Sequence, residues 1–536
     1  MKKIALFFGC LLGVANIFAQ EATIDEVQMR KLQQAEFFIK NLYVEKLDDE
    51  KLVDAAIEGM LKQLDPHSTF VKAKDVEKTN ENLNGSFEGV GIQFQMVEDT
   101  LVVIKTVSGG PCEKQGMLPG DRVVYVNDST IAGVKMTNTD IMSRLRGPKG
   151  SKVKLGVLRA GVKGINTFNI IRDKIPVYTI DAYYMAAPGI GYIRIDSFGA
   201  TTMDEFLEAV SKLKAKGMER LIIDLQGNGG GYLQTAFRLA NEFLPSGEKI
   251  LSQKGNRLAG AEQVYHADGN GTLQNIPVVV LVDSYSASAS EILSGAIQDN
   301  DRGLIVGRRT FGKGLVQRPI ELADHSMIRL TTAHYYTPTG RCIQKPYELG
   351  DAKSYQKDIE DRLNSGELTN IDSIHFADSL KFETLHLGRT VYGGGGIMPD
   401  YYVPLDTTIY TKLHRELSAK SCVNGTVLKF MDKNRNSLEK KYKKKDVAFF
   451  RDNFVVDESM FSILKAEAEK AGVKYTEEEF NESKPMLGKV LKALVGRDLW
   501  ETSAYYELFN DNNNIFAKGL EVIQTDEPKT ITRWMQ

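Results

Sequence analysis

The 536-residue chain contains few cysteines. The four that are present lie far apart in the sequence, at Cys10, Cys112, Cys342 and Cys422. Their small number and wide spacing exclude both a disulfide framework and a cysteine-based metal site. None of the seven histidines belongs to an HExxH pair, which disfavours a metalloprotease. The sequence therefore predicts neither a metal ion nor a cofactor.

The chain also lacks an excess of charge and, beyond its start, any long apolar run. Lys and Arg total 68 against 70 for Asp and Glu, so the net charge of −2 gives no reason to expect a nucleic-acid partner. No later stretch approaches the roughly 20 apolar residues of a membrane span, so no integral span is expected. With 42% hydrophobic residues, the chain can bury a sizeable core. At roughly 150 residues per domain, its length favours several domains.

The first 19 residues have the three parts of a secretory signal peptide. Two lysines at positions 2–3 precede an apolar run over residues 4–14, and Ala19 supplies the small residue before the cleavage point. The pattern predicts an exported, periplasmic protein. A lipid anchor on Cys10 is the alternative, although the residues before Cys10 fit bacterial lipoprotein signals poorly.

The remaining chain divides into four regions by its hydrophobic pattern. Helical spacing marks both ends, short β-branched runs separated by glycines mark a β-domain, and apolar strands alternating with helical patterns mark an α/β layer structure. The predicted regions are a helical segment over 20–84, a β-domain over 85–172, an α/β core over 173–407 with an insertion at about 344–389, and a helical region over 408–536. Within the core, buried strands are predicted at 192–196, 220–225, 278–283 and 303–307, and helices at 203–213 and 289–298.

Ser288 lies where the third predicted core strand gives way to a helix. A hydroxyl at such a turn is exposed, and the N–H groups of the new helix stabilise negative charge that forms beside it. This placement makes Ser288 a candidate nucleophile. Ser288 with Glu291 also matches a capping box, a purely structural role that the local pattern favours when taken alone.

Lys313 stands between two glycines in the apolar segment TFGKGLVQ, residues 310–317. Burial lowers the pKa of a lysine, so its neutral amine becomes available as a general base. Gln317 lies four residues later and is placed to orient that amine. The alternative is a solvent-exposed turn lysine.

A glycine-rich turn follows the strand that ends in DLQGNGGG, residues 224–231. Glycines at this place allow close approach of the backbone to a ligand, so a backbone N–H can serve an oxyanion. No Lys-Ser or Lys-Thr pair follows, which excludes a P-loop, and the spacing of a dinucleotide-binding loop is also absent.

Together, the segments SASASEI, TFGKGLVQ, DLQGNGGG, EGVGIQF, LPGDRVVYVN and LDPHS resemble the carboxyl-terminal processing peptidases of serine peptidase family S41. The resemblance covers nearly the whole chain after the signal peptide. It implies an α/β protease core with an inserted PDZ-type β-domain and helical N- and C-terminal regions. It also implies an endopeptidase that cleaves protein substrates near their carboxyl ends.

The resemblance assigns roles to individual residues of the core. Ser288 corresponds to the nucleophile, Lys313 to the general base and Gln317 to the residue that orients the base. The backbone N–H groups of Ala289 and Gly230 correspond to the oxyanion donors. The sequence has QGNG where the family often has RNNP, and the glycine in place of proline leaves the rigidity of this loop open.

The resemblance also identifies EGVGIQF as the carboxylate-binding loop of a PDZ domain. Successive backbone N–H groups can capture a terminal carboxylate, and an extended peptide can add to the neighbouring sheet edge. The expected partners are therefore proteins or peptides with free carboxyl termini. The residues assigned to peptide binding are Glu88, Gly89, Val90, Gly91 and Ile92.

Two other interpretations stay open. His334 is the histidine best placed for a Ser-His-Asp triad, although it lies in a β-rich run where packing is the commoner role. A different class of function is a non-catalytic periplasmic binding or adaptor protein on the same scaffold. Self-association through the helical ends and dependence on an adaptor protein are also left open.

Overall fold

The computed structural model describes residues 26–535 apart from 160, 257–259 and 261. The predicted signal peptide and Cys10 lie outside the described residues. Within those residues, no helix has both the length and the apolar character that crossing a membrane requires.

Helices dominate both ends of the chain, as predicted. The helices are α1 (Glu26–Leu42), α2 (Asp49–Leu61), α3 (Ala73–Asn84), α4 (Pro111–Lys114), α5 (Asn138–Leu145), α6 (Thr202–Ala215), α7 (Leu233–Asn241), α8 (Ala289–Asp299), α9 (Ala352–Asn364), α10 (Lys412–Ala419), α11 (Cys422–Leu438), α12 (Val447–Asn453), α13 (Glu458–Lys470), α14 (Glu477–Leu499), α15 (Thr502–Phe509), α16 (Asn514–Gln524) and α17 (Glu527–Thr530).

The strands concentrate between them. They are β1 (Thr69–Val71), β2 (Ser86–Gly89), β3 (Ile92–Val97), β4 (Thr100–Thr106), β5 (Arg122–Val126), β6 (Ser129–Thr130), β7 (Lys152–Leu158), β8 (Asn166–Ile171), β9 (Asp173–Pro176), β10 (Ile180–Ala187), β11 (Ile190–Ile195), β12 (Arg220–Asp224), β13 (Lys249–Gly255), β14 (Glu262–His266), β15 (Val278–Val282), β16 (Leu304–Gly307), β17 (Leu315–Glu321), β18 (Met327–Tyr336), β19 (Lys381–Glu383), β20 (Thr390–Tyr392) and β21 (Tyr401–Tyr402).

A six-stranded sheet forms the centre of the α/β core, in the order β10-β11-β12-β15-β16-β21. Its pairings are parallel except for the antiparallel β10–β11 edge. One face packs on α8 through residues such as Val280, and the other packs on α16 through residues such as Leu281. Because both faces are covered, the strands consist of almost continuous apolar residues. This is why the sequence pattern predicted all four within a few residues.

A second core sheet runs β1-β18-β13-β14, with β17 paired to β18. Its short strand β1 comes from the N-terminal segment that the sequence predicted as helical. That prediction is wrong for Thr69–Val71, because these residues pair with β18, more than 250 positions later in the chain. The N-terminal segment is thus tied to the α/β core ahead of the β-domain.

The β-domain has its own antiparallel sheet, in the order β3-β4-β5-β7-β8, and its own apolar core. Strand β2, at the entrance to this domain, pairs with β9 at its exit. Strand β3 lies at the edge of the sheet, next to β4 only. This open edge is where an extended peptide can be added.

The C-terminal helices form two separate groups. Helices α10 to α14 enclose a core of their own, which includes Phe450, Leu464 and Leu491. Helix α16 packs instead against the central sheet through Ile515 and Phe516. The predicted C-terminal region is therefore helical, but its last part belongs structurally to the α/β core.

Candidate active site

Ser288 occupies the sharp turn between β15 and α8. Its backbone has φ of +57° and ψ of −111°, a conformation that residues other than glycine rarely adopt. Such strain costs on the order of 1–3 kcal/mol and clusters at active sites. The turn places Ser288 at the N-terminus of α8, all of whose residues are buried.

Glu291 connects Ser288 to the loop that carries Lys313. Its Oε2 atom accepts hydrogen bonds from the Ser288 N–H at 2.8 Å and the Lys313 N–H at 2.9 Å. Its Oε1 atom accepts from the Thr310 hydroxyl at 2.5 Å and the Gly312 N–H at 2.7 Å. One carboxylate oxygen therefore holds the backbones of both candidate catalytic residues side by side.

The buried position of Glu291 explains why it needs so many partners. Its side chain has no solvent exposure, and burial raises its pKa. The four hydrogen bonds that its carboxylate accepts oppose that rise. The capping-box pattern indicated only a local role for this residue. A glutamate on a helix that connects two buried strands was the available signal that it has distant partners as well.

Lys313 lies in the loop between β16 and β17, largely screened from solvent by its surroundings. Burial lowers its pKa, and the charge of Arg329 lowers it further, whereas Glu291 and Asp65 act in the opposite direction. Within the described residues, its amine makes no ion pair and no hydrogen bond, and none joins it to the Ser288 hydroxyl.

The insertion contacts and stabilises the loop that carries Lys313, a role that no sequence motif indicated. Arg362 on α9 is 3% exposed and donates to the carbonyl oxygens of Thr310 at 2.8 Å and Phe311 at 3.1 Å. At the start of the insertion, the Lys345 N–H donates to the Gly312 carbonyl at 2.9 Å. These bonds fix the backbone immediately before Lys313.

Gln317 lies on β17 directly across from Thr331 on β18. Val316 pairs with Ala333 but Gln317 pairs with Thr331, so Thr332 is an extra residue in β18, and spacing alone did not determine which β18 residue Gln317 faces. Its Nε2 donates to the Thr331 hydroxyl at 3.2 Å. Within the part of the chain that the structure describes, no hydrogen bond joins Gln317 to Lys313.

The glycine-rich turn packs directly against Ser288. Gly230 has φ of +104°, and a Cβ atom there would lie 2.8 Å from the Ser288 Cβ and 3.0 Å from the Ala289 nitrogen. Only glycine permits this approach. The Ala289 N–H donates to no described residue, but the Gly230 N–H donates to Asn228 Oδ1 at 2.8 Å. Of the two predicted oxyanion donors, one is therefore free and the other is engaged.

Asn228 gives the turn the restraint that the missing proline would otherwise supply. The residue is fully buried, and its Nδ2 donates to the Ile195 carbonyl at 2.8 Å. Its own carbonyl accepts from the Ala287 N–H at 3.0 Å and the Ser290 hydroxyl at 2.9 Å. The turn and the Ser288 segment are thus bound together on both sides.

The structure does not favour a histidine triad. Tyr335, the neighbour of His334, points toward Ser288 and donates its hydroxyl proton to the Ser288 carbonyl at 3.1 Å. Because successive strand residues face opposite sides, His334 points away from Ser288. Its buried Nδ1 has no hydrogen-bond partner within the described residues.

The predicted carboxylate-binding loop is divided between two elements. Glu88 and Gly89 belong to β2, and the Glu88 carboxylate accepts from the Lys149 N–H at 2.9 Å. Ile92 begins β3. The N–H groups of Val90 and Gly91, between the two strands, donate to no described residue. These two are the donors left available for a terminal carboxylate.

Replacing Glu291 by glutamine should lower kcat/KM about 10²-fold, because it places an amide NH₂ group against donors and loosens both loops. The free energy of unfolding should fall by about 1–3 kcal/mol for the buried donors left without an acceptor. Steady-state kinetics and denaturant unfolding measure the two effects. Glu208→Gln, at an exposed position on α6, is the control. Unchanged kinetics in the Glu291 variant would show that the bridge is not required.

Four parts of the chain match known protein families. Residues 189–352 match peptidase family S41, and residues 89–169 match the PDZ domain. Residues 14–75 match the N-terminal domain of the activating protease CtpB, and residues 413–501 match a family of unknown function. Strands β11 to β18 of the core fall within the first match, and the sheet of the β-domain falls largely within the second.

Individual relatives are similar to this chain over much of its length. The carboxy-terminal processing protease CtpA of Bacillus subtilis is 36% identical over 372 residues, which cover 67% of this chain and 78% of that protein. CtpB of the same organism is 34% identical over 333 residues, covering 61% and 68%. Among solved structures, a photosystem II D1 C-terminal processing protease has 27% identity and a TM-score of 0.36, over 70% of this chain and 86% of that one.

The named relatives are proteases, which favours a peptidase over a non-catalytic adaptor. The S41 match covers the strands and helix around Ser288 and Lys313, and the PDZ match covers the β-domain. The chain belongs to the carboxy-terminal processing proteases of peptidase family S41, which are serine-type peptidases.

Proposed function

We propose that this protein is an exported endopeptidase that cuts protein substrates near their carboxyl ends with Ser288 as nucleophile and Lys313 as general base. The observation that carries the proposal is the Glu291 carboxylate, which holds the backbones of both residues on one oxygen atom. Ser288 has the strained backbone of a nucleophile at a helix start, and Lys313 has the lowered pKa that a lysine base requires. Export rests on the signal-peptide pattern of residues 1–19.

In the proposed reaction, the neutral Lys313 amine takes the Ser288 proton as the hydroxyl oxygen attacks the scissile carbonyl. The resulting ammonium then protonates the leaving amine, and an acyl-enzyme remains. Water, deprotonated by the same amine, hydrolyses the ester and restores Ser288. Gln317 positions the amine through its side-chain carbonyl.

The oxyanion forms beside the start of α8. The free Ala289 N–H donates to it directly, supported by the positive end of the helix dipole. For the Gly230 N–H to act as the second donor, its bond to Asn228 must open when substrate binds. One donor is typically worth on the order of 10² to 10³ in rate, so this change sets a large part of the activity.

Recognition of the chain end is assigned to the PDZ domain. The terminal carboxylate accepts hydrogen bonds from the Val90 and Gly91 N–H groups, and the rest of the tail adds as a strand to the open edge of β3. Binding there holds the substrate close to the protease core and contributes positioning.

Helix α3 provides the physical link between recognition and cleavage. Glu81 on this helix pairs with Arg146 of the PDZ domain. On the core side, Asn80 accepts from Arg329 at 2.7 Å, and Asn84 accepts from the Tyr232 hydroxyl at 2.9 Å. Tail binding that moves the PDZ domain therefore acts on α3 and, through it, on residues beside the catalytic loops. This supports gating of the protease by its own PDZ domain.

The experiment that tests the proposed function uses purified protein and an unfolded substrate with an apolar carboxyl-terminal tail. Mass spectrometry of the products should show cuts at internal peptide bonds near the tail. A ladder of products shortened one residue at a time would contradict endoproteolysis, and binding without any cleavage would contradict catalysis.

Amidating the terminal carboxylate of that substrate should lower kcat/KM about 10-fold, mainly through KM. The amide removes the negative charge and one acceptor from the Val90 and Gly91 donors, and hydrogen bonds to charged groups are worth about 1.5–3 kcal/mol. The measurement compares free and amidated peptides of identical sequence. A peptide lacking the tail and too short to reach the PDZ domain is the control, since amidation should not affect it. Equal rates for both long peptides would argue against recognition of the chain end.

A further inference from the structure

The turn formed by residues 65–68 lies beside the catalytic lysine, although it precedes the PDZ domain in the chain. Burial lowers the pKa of His67 to about 4, and the positive charge of Lys313 lowers it as well. The His67 Nε2 atom is 3.0 Å from the Tyr355 hydroxyl on α9 of the insertion. The turn therefore lies between the loop that carries Lys313 and helix α9 of the insertion.

Asp65 is the centre of a hydrogen-bond network within this turn. Its carboxylate accepts from the Ser68 hydroxyl at 2.6 Å, the His67 N–H at 2.9 Å and the Ser68 N–H at 3.2 Å. It also accepts from the Thr331 hydroxyl at 2.9 Å. Burial acts to raise the pKa of Asp65, but the hydrogen bonds outweigh it and the pKa lies below its ordinary value. Asp65 is thus an ionised group that can only accept.

The direction of the hydrogen bonds at Thr331 follows from that charge. A hydroxyl has a single proton to donate, and Thr331 donates it to Asp65. Toward Gln317, the Thr331 oxygen can therefore only accept, and it does accept from Gln317 Nε2 at 3.2 Å. The Ser68 hydroxyl, which accepts from the Thr331 N–H at 3.1 Å, fixes the same strand position from the other side.

We propose that Asp65 sets the orientation of the Gln317 side-chain amide through Thr331. With its NH₂ group committed to Thr331, Gln317 keeps its carbonyl oxygen free to accept a hydrogen bond from the Lys313 amine. In the reverse orientation, Gln317 would present its NH₂ group, a donor, to the Lys313 ammonium, which is also a donor. Asp65 and Thr331 are positioning residues in this account, which rests on the proposed roles of Lys313 and Gln317.

The test is a double-mutant cycle on the full chain, with the tailed peptide as substrate. Thr331→Val keeps the shape of the side chain but removes the hydroxyl, and kcat should fall about 10-fold with KM nearly unchanged. Thr331→Ser restores the hydroxyl and should recover most of the rate. In Asp65→Asn, the asparagine NH₂ group can donate to the Thr331 oxygen, and the Thr331 hydroxyl can then donate to Gln317. This turns the Gln317 carbonyl away from Lys313, so kcat should fall as it does in Thr331→Val.

Coupling separates a positioning role from a structural one. In a Gln317→Ala background, Thr331→Val should have no further effect, because it acts only through Gln317. The single variants Thr331→Val and Gln317→Ala should each also shift the limb of the pH–rate profile that reports Lys313 to lower pH. Each deprives the Lys313 ammonium of the Gln317 carbonyl as a hydrogen-bond acceptor. Thr332→Val is the matched control, because its buried hydroxyl lacks a hydrogen-bond partner within the described residues.

Two kinds of failure are distinguishable. If the wild-type protein cleaves but the losses from Thr331→Val and Gln317→Ala add in full, Thr331 acts structurally and the inference is overturned. Equal losses for Thr331→Val and Thr332→Val would overturn it as well. If the wild-type protein shows no cleavage that depends on Ser288, the proposed function fails and takes this inference with it.

Discussion

Replacing Ser288 by alanine should reduce cleavage of a tailed substrate by at least about 10⁴-fold. In the proposed mechanism the hydroxyl oxygen forms the acyl-enzyme, so without it the oxyanion donors and bound substrate should give only residual hydrolysis. Cleavage is measured by separation of substrate and products over long incubation at high enzyme concentration.

The Ser288→Ala protein should remain folded and should bind tails as the wild type does. Its backbone N–H keeps the hydrogen bond to Glu291, because that bond does not use the side chain. The control is Ser284→Ala, since this nearby buried serine has a hydroxyl without a hydrogen-bond partner within the described residues. Full activity in the Ser288 variant would exclude it as the nucleophile.

Replacing Lys313 by methionine should lower kcat about 10³-fold, because methionine fills the same space but cannot accept a proton. Lys313→Arg should lower kcat as much as Lys313→Met does, since the arginine guanidinium stays protonated and cannot act as a base. Lys216→Met, at an exposed position outside the site, is the control. The rates of all these variants are measured as single turnovers with saturating enzyme.

The pH dependence of the wild type should carry the signature of this lysine. Burial, followed by the charge of Arg329, lowers the Lys313 pKa from its ordinary 10.5. Only the neutral amine is a base, so kcat/KM should rise with pH through the pKa of the folded enzyme and level off above it. That limb should lie below 10.5 and be absent from the arginine variant. A rate independent of pH, or retained activity in the methionine variant, would exclude Lys313 as the base.

The sequence predicted the layers of the fold and the segments that meet at the site. Strands such as 278–282 are apolar on both faces, and the α8 pattern begins directly after Ser288, so both were visible without a structure. The glycine cluster at 227–231 likewise indicated a close backbone approach. Gly230 makes that approach, within van der Waals contact of the Ser288 turn.

The contacts that join these segments could not be read from the sequence. Glu291 reaches Gly312 and Lys313 across a distance of more than 20 positions, and Asp65 reaches Thr331 across 266. Local spacing carries no information about such contacts. The register shift beside Gln317 is a second case, because the extra residue Thr332 in β18 changes which residue of that strand pairs with Gln317.

The hydrogen bond between Thr331 and Asp65 also has a consequence for the order in which the molecule folds. The sheet of the PDZ domain pairs strands that all lie within residues 92–171, whereas the site around Lys313 needs partners brought from residues 65–71. Contacts between distant residues form more slowly, because closing a long loop costs entropy before any contact compensates for it. We therefore expect the PDZ domain of a newly synthesised molecule to fold before the site around Lys313 is complete.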